Sequence, residues 1–323
     1  MMREISLAEL QQPLDATLTG GDAHFKSVFT DSRQPLDNSL FVALVGENFD
    51  GNDYVAAVAD KGAVAALVSR PSTAALPQLQ VADTQKALGR LGRFNRELYN
   101  GPLVAITGSS GKTTAKNLIH GVLSQRGNTL ATDGNFNNEV GVPLTLLRLD
   151  PEHEFAVVEM GAAGQGDIAW LCELGRPSIS VLLNAMPAHL EGFGSIEGVA
   201  RTKGEIFDGL GEGDTAVINA DQQWAAAWRE RAGAARVLDF SLSGEAAVTA
   251  TNIESRGVAG TVFSATTPAG DIQVNLRLPG EHNVANALAA VAVGLACELS
   301  LAEIVAGLES VDPVAGRLST QVA

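Results

Sequence analysis

Near-continuous apolar runs of strand length recur after residue 100: "LVAI" from Leu103, "FAVVE" from Phe155, "SISVLLN" from Ser178 and "TAVIN" from Thr215. Such runs are strands buried on both faces, as in parallel sheets covered by helices. Helical stretches fall between them, at 112–126, 139–148, 166–174, 196–210 and 221–232. The alternation predicts an α/β fold with a doubly wound, mostly parallel sheet. Residues 236–280 change character, and their β-branched alternation with glycine turns predicts a small antiparallel β patch. Helices are expected again at about 282–298 and 301–309.

Before residue 100 the elements are shorter. "KSVFTDS", "SLFVAL", "AVAALVS" and "LQVAD" read as strands. "NDYVAAVADKG" reads as a helix closed by Gly62, and "TQKALGRLGRFNREL" as a second helix. Turn residues in "YNGP" at 99–102 mark a domain boundary. The expected organisation is an N-terminal α/β domain over 1–99, a second domain over 100–312, and the start of a linker over 313–323. The last stretch, "VDPVAGRLSTQVA", is polar and strand-like, which fits either a natural domain end or a cut inside a linker.

Composition narrows the partners. A chain of 323 residues with 46% hydrophobic content can build two cores. A net charge of −15 argues against a nucleic acid, whose phosphate backbone needs basic surface, but leaves room for a small phosphorylated ligand. Cys172 and Cys297 lie far apart in sequence, so no disulfide framework is expected and a reducing cytoplasm fits. "MMREISLAEL" lacks the apolar core of a signal peptide. "ALAAVAVGLAC" at 287–297 is too short to span a bilayer and reads as a buried helix.

The chemistry centres on "AITGSSGKTTAKN" at 105–117. The common phosphate loop is G-x-x-x-x-G-K-[ST], but Ile106 stands where its first glycine would fall. Gly108, Ser109, Ser110 and Gly111 instead make a shorter loop between an apolar strand and a helix that begins near Lys112. Backbone N–H groups of such a turn, and of the helix start, can surround an anion. Lys112 can reach outer phosphates, Thr113 offers a hydroxyl to a metal ion, and Thr114 completes the phosphate-binding run. Glu159 follows a second apolar run, at the sheet edge where ligands bind, and is a candidate for holding metal or water. His189 lies in the loop after the next strand and is a candidate ligand on the same edge.

Lys203 shares the apolar stripe Ile196, Val199, Ala200, Phe207, Leu210 of a predicted helix. It either snorkels at the stripe's edge or is chemically recruited, since a desolvated amine loses its proton readily. "ATDGNFNNEVG" carries Asn135, Asn137 and Asn138, which serve turns or a polar ligand. Asn283 and Asn286 stand near the start of an otherwise apolar helix, where their amides could read a base edge; a helix cap explains Asn283 alone.

Together these stretches resemble the Mur ligases, ATP-dependent amide-forming enzymes of peptidoglycan assembly, whose loop is a short T-G-x-x-G-K-[ST]. "GNFNNEVGVPLTLL", "VVEMGA", "AHLEGFGSIEGVARTKGEIF" and "GEHNVANALAA" look like the member that acts last in the series. "TDSRQPLDNSLFVALVGENFDG" at 30–51 is similar to the family's N-terminal UDP-sugar domain. The resemblance implies a UDP-substrate domain, a central ATPase domain and a third, Rossmann-like domain, with "AGRL" at 315–318 matching the linker into the third. On this reading the chain is a shortened form, inactive alone. The implied reaction joins D-Ala-D-Ala to UDP-MurNAc-tripeptide through an acyl phosphate, at the expense of ATP.

The resemblance also implies roles. Thr113 and Glu159 would hold one Mg2+, and His189 with Lys203, as a carbamate formed from CO2, a second. Asn283 and Asn286 match adenine contacts, and Arg317 a nucleotide contact from the linker. Ser32 and Arg33, with Asn135, Asn137 and Asn138, are candidates for the UDP-sugar. The expected setting is a cytoplasmic monomer. Two rivals stay open: a family member adding the third amino acid, and a scaffold that binds nucleotide and UDP-sugar without turnover.

Overall fold

The computed structural model describes residues 2–34, 37–187 and 190–313. The chain divides into two compact units: residues 1–100 with 136–151, and residues 101–135 with 152 onward. The first crossing lies one residue beyond the expected boundary. The return of 136–151 to the first unit is a departure from a single break at 99/100. Its cause is close packing within that unit. A Cβ on Gly92 would lie 2.9 Å from the Pro143 Cα, so the two helices meet backbone to backbone there. Buried Asn95 donates through Nδ2 to the Leu146 and Leu149 carbonyls, at 2.8 and 3.0 Å.

The first unit holds a five-stranded sheet in the order Thr17–Thr19, Gln78–Gln80, Ala63–Val68, Ser39–Val42, Ser27–Phe29. It is parallel except for the edge strand Thr17–Thr19. Alternation in Ser39–Val42 sends Leu40 and Val42 into one core and Phe41 into another on the opposite face. The first core also takes Leu7, Leu10 and Leu14 of the helix Leu7–Leu14. Ser6 and Glu9 form a capping box that starts this helix, and "SLAE" is the sequence signature of that motif.

The second unit is built on one nine-stranded sheet. Its order is Thr129–Ala131, Phe155–Glu159, Leu103–Thr107, Ile179–Leu182, Thr215–Asn219, Arg236–Ser241, Val248–Ser255, Thr261–Thr267, Gly270–Leu276. All neighbours are parallel up to Val248–Ser255, and the last two pairings are antiparallel. The expected antiparallel patch is therefore no separate layer: 236–241 continues the parallel sheet, and the strands after 248 extend it. Helices Lys112–Leu123, Glu281–Ala296 and Leu301–Glu309 cover one face, where Ile106, Val157, Val181 and Val217 form the core with Leu118, Leu288 and Ile304. The helices approach closely because Gly121 and Gly307 carry no side chain; a Cβ on Gly307 would lie 2.4 Å from the Val122 Cα. The run at 287–297 belongs to this packing, and no helix among the described residues is long and apolar enough to cross a membrane.

Candidate active site

Leu103–Thr107 lies between Phe155–Glu159 and Ile179–Leu182, so three strand ends meet at one edge of the sheet. Thr107 closes two of them by donating its hydroxyl to the Met160 carbonyl at 2.8 Å. Gly108 to Gly111 then turn the chain into the helix Lys112–Leu123. Gly111 has φ +79°, which disfavours any side chain. A Cβ there would also lie 2.7 Å from the Asn286 Oδ1. No side chain caps the start of the helix, and a helix N-terminus is a site suited to an anion.

Lys112 folds back over this turn and donates from Nζ to the Gly108 carbonyl at 2.9 Å. The Thr113 hydroxyl donates to Glu159 Oε2 at 3.0 Å. Glu159 is 2% exposed, and its N–H donates to the Thr132 hydroxyl at 3.0 Å. A buried carboxylate touching a hydroxyl beside a phosphate loop is a hard-oxygen donor pair. It fits Mg2+, which takes one or two protein oxygens and completes its shell with phosphate and water. Among the described residues, no group of three or more His, Cys, Asp or Glu is arranged to hold a metal ion.

Lys203 is 4% exposed on the helix Ile196–Gly204. Burial, and to a lesser degree the charge of Lys112, lowers its ammonium to about 8. Of the expected stripe, Val199, Ala200 and Phe207 are buried like Lys203, Ile196 and Leu210 are half-buried, and the helix ends at Gly204 rather than at 210. Asn283 and Asn286 are both buried. Asn283 donates to the Pro279 carbonyl at 2.8 Å, Asn286 donates to Asn283 Oδ1 at 3.3 Å, and the Asn286 oxygen faces Gly111. His189 and Arg317 lie outside the described residues.

The UDP-sugar candidates divide between the units. Ser32, Arg33, Asn137 and Asn138 belong to the first, Asn135 to the second. Arg33 is widely exposed and donates through Nε and Nη2 to Asp31, at 2.9 and 2.8 Å. This pair holds the Asp31 carboxyl down at about 2. Ser32 offers its carbonyl to Lys61 Nζ at 2.7 Å. Asn138 Oδ1 accepts from the Gly141 N–H at 2.9 Å and so opens the helix Gly141–Leu146.

Sequence reasoning missed Asn184. Its Oδ1 accepts the N–H groups of both Ser109 and Ser110 at 3.0 Å. The available signal was a polar residue ending the apolar run "SISVLLN", on the same edge as Glu159. Lys116 and Thr132 were missed as well.

The chain as a whole was compared with known proteins. The model described as "Mur ligase middle domain" matches residues 106–294, and "Mur ligase family, catalytic domain" matches 24–96. The UDP-N-acetylmuramoyl-tripeptide–D-alanyl-D-alanine ligase of Escherichia coli K12 is 46% identical over 318 residues, spanning 98% of this chain and 70% of that protein. The Haemophilus influenzae protein of the same name is 41% identical over 98% of this chain and 70% of its own length. A crystal structure of MurF from Acinetobacter baumannii superposes with TM-score 0.93 at 39% identity, covering 98% of this chain and 70% of that one. MurF from Thermotoga maritima in complex with ADP gives TM-score 0.81 at 28% identity, over 90% and 67%.

Proposed function

The chain belongs to the Mur ligase family, and from that premise we infer that its reaction joins D-alanyl-D-alanine to a UDP-N-acetylmuramoyl-tripeptide, with ATP converted to ADP and phosphate. The product is a peptidoglycan precursor. The observation that carries the reading is the contact of Thr113 with buried Glu159 beside Lys112, at the start of the loop helix.

A carboxylate is a poor electrophile, so the tripeptide's terminal carboxylate is first phosphorylated to an acyl phosphate. The amine then attacks the carbonyl carbon and phosphate leaves. Lys112 leaves the Gly108 carbonyl to meet charge on the transferring phosphoryl group, while the helix-start N–H groups orient it. Thr113 and Glu159 are the residues that would hold magnesium. When bound, that ion supplies positive charge against the outer phosphates. The buried Asn286 amide lies where a Gly111 side chain would fall, which supports a nucleotide-side role for the pair Asn283 and Asn286. Arg317 is assigned to the nucleotide on the resemblance of "AGRL" alone. The exposed Arg33 with Ser32, Asn135, Asn137 and Asn138 is the proposed UDP-sugar side. Free thiols at Cys172 and Cys297 support a cytoplasmic setting.

Lys203 is proposed as a carbamate that serves a second magnesium, a role that the family resemblance also gives to His189. The neutral amine adds to the carbon of CO2, an N–C bond forms, and one proton leaves to solvent. The lowered ammonium favours the neutral amine this step needs.

Lys112→Ala tests the reading. ATP affinity should fall at least about a hundredfold, because a charge-assisted contact to phosphate is removed. Calorimetry that finds parental ATP affinity in a folded variant would take the loop out of the site.

A further inference from the structure

Consecutive backbone N–H groups in a glycine-rich turn converge on an anion when they form a phosphate nest. Here the N–H groups of Ser109 and Ser110 converge on the protein itself. The Ser109 and Ser110 N–H groups both reach Asn184 Oδ1, the Ser109 N–H is shared with the Asn184 carbonyl at 3.1 Å, and Asn184 Nδ2 donates back to the Ser110 carbonyl at 3.2 Å. The Ser109 hydroxyl accepts from the Met186 N–H at 2.9 Å and donates to its carbonyl at 3.1 Å. The segment making these contacts is anchored from behind. Asn219 Nδ2 donates to the Leu183 carbonyl at 2.8 Å, and Gln222 Oε1 accepts from the Ala185 N–H at 3.1 Å.

We propose that Asn184 is a positioning residue of the phosphate loop: its amide holds Ser109 and Ser110, so phosphate is received by Gly111 and the first turn of the helix rather than by those two residues. This deepens the ligase reading and rests on it. It also revises the sequence expectation that Ser109 and Ser110 bind ATP directly. An amide suits the place for a chemical reason. It accepts two N–H bonds and donates one while remaining neutral. A carboxylate of the same shape would face the Ser110 carbonyl with an oxygen and set a negative charge beside the phosphates.

Asn184→Asp and Asn184→Ala separate this role from simple packing. Dissociation constants for AMP, ADP and ATP with magnesium are measured by calorimetry on the full chain, with thermal melting as the control for folding. For the aspartate variant the loss should grow with each added phosphate, reaching about tenfold for ADP and about a hundredfold for ATP. For the alanine variant a nearly uniform loss of about tenfold is expected, from a loosened loop without added charge. A folded aspartate variant that binds all three nucleotides with parental affinity, or weakens them equally, overturns the proposal. Should that variant not fold, parental ATP affinity in Asn184→Ala overturns it instead. If the parent chain itself binds no ATP, the ligase reading fails first and takes this one with it.

Discussion

Lys203 illustrates how burial alters one side chain's chemistry. Desolvation, followed by the charge of Lys112, brings its ammonium from an ordinary value of about 10.5 to about 8. The unfolded chain therefore binds more protons than the folded one between those values. The penalty is full below about 8 and fades as pH rises through the unfolded value. In metal-free buffer without bicarbonate, Lys203→Met should be more stable to urea than the parent at neutral pH, and the advantage should shrink towards pH about 10. In the full-length enzyme that the family resemblance implies, the same variant should lose ligation yet keep ATP binding, if the lysine carries a carbamate. A short carboxylate should restore part of the activity to Lys203→Ala. Parental turnover by either variant at saturating magnesium would leave Lys203 with a packing role only.

At the scale of the element, the helix Lys112–Leu123 serves two neighbours with successive turns. Lys112, Lys116 and His120 stand four residues apart and share one face. Lys112 belongs to the phosphate loop. Lys116 is 4% exposed and donates from Nζ to the Thr132 carbonyl at 2.5 Å. His120 is held below its ordinary value mainly by burial, with the Lys116 charge adding to the effect. Thr132 in turn accepts the Glu159 N–H, so Lys116 steadies the backbone of the proposed magnesium residue from a turn away. Lys116→Met should leave metal-free nucleotide affinity unchanged and raise the magnesium needed for tight ATP binding by about tenfold, the size of one lost hydrogen bond to a charged group. A magnesium titration that superposes on the parent's in a folded variant would count against this chain of contacts. The start of the helix was legible in "GKTT", since loop and helix are contiguous in sequence. The second-turn contact was not, because it depends on the strand packed alongside.

For the whole molecule, the tryptophans and tyrosines divide between the two units. Trp170, Trp224 and Trp228 all fall in the second unit, and Tyr54 and Tyr99 in the first. Tryptophan emission therefore reports the unit with the phosphate loop, and tyrosine signals the other. Magnesium–ATP at a hundred times its dissociation constant should stabilise the unit that binds it by about 2.7 kcal/mol. The tryptophan-detected urea midpoint should rise accordingly. The UDP-linked peptide should raise the tyrosine-detected midpoint through Ser32, Arg33, Asn137 and Asn138. A tryptophan midpoint indifferent to saturating nucleotide would be incompatible with a nucleotide site in the second unit.

The sequence by itself determined the elements and their local chemistry. Apolar runs announced the buried strands, a glycine closed a helix at Gly62, and the strand–turn–helix context of the candidate phosphate loop was legible despite Ile106. Glu159 was legible for the same reason, as a carboxylate ending an apolar run. Only the tertiary structure decided which distant groups meet. It returned 136–151 to the first unit through Gly92 and Asn95, merged the antiparallel strands into the main sheet, and set Asn286 against Gly111. Asn184 meets Ser109 across 75 residues of chain. Periodicity and turn chemistry act over a few neighbouring residues, whereas these contacts arise from the order in which parallel strands are laid side by side. That order is set by crossover connections and by the burial of both sheet faces, and no short stretch of sequence carries it.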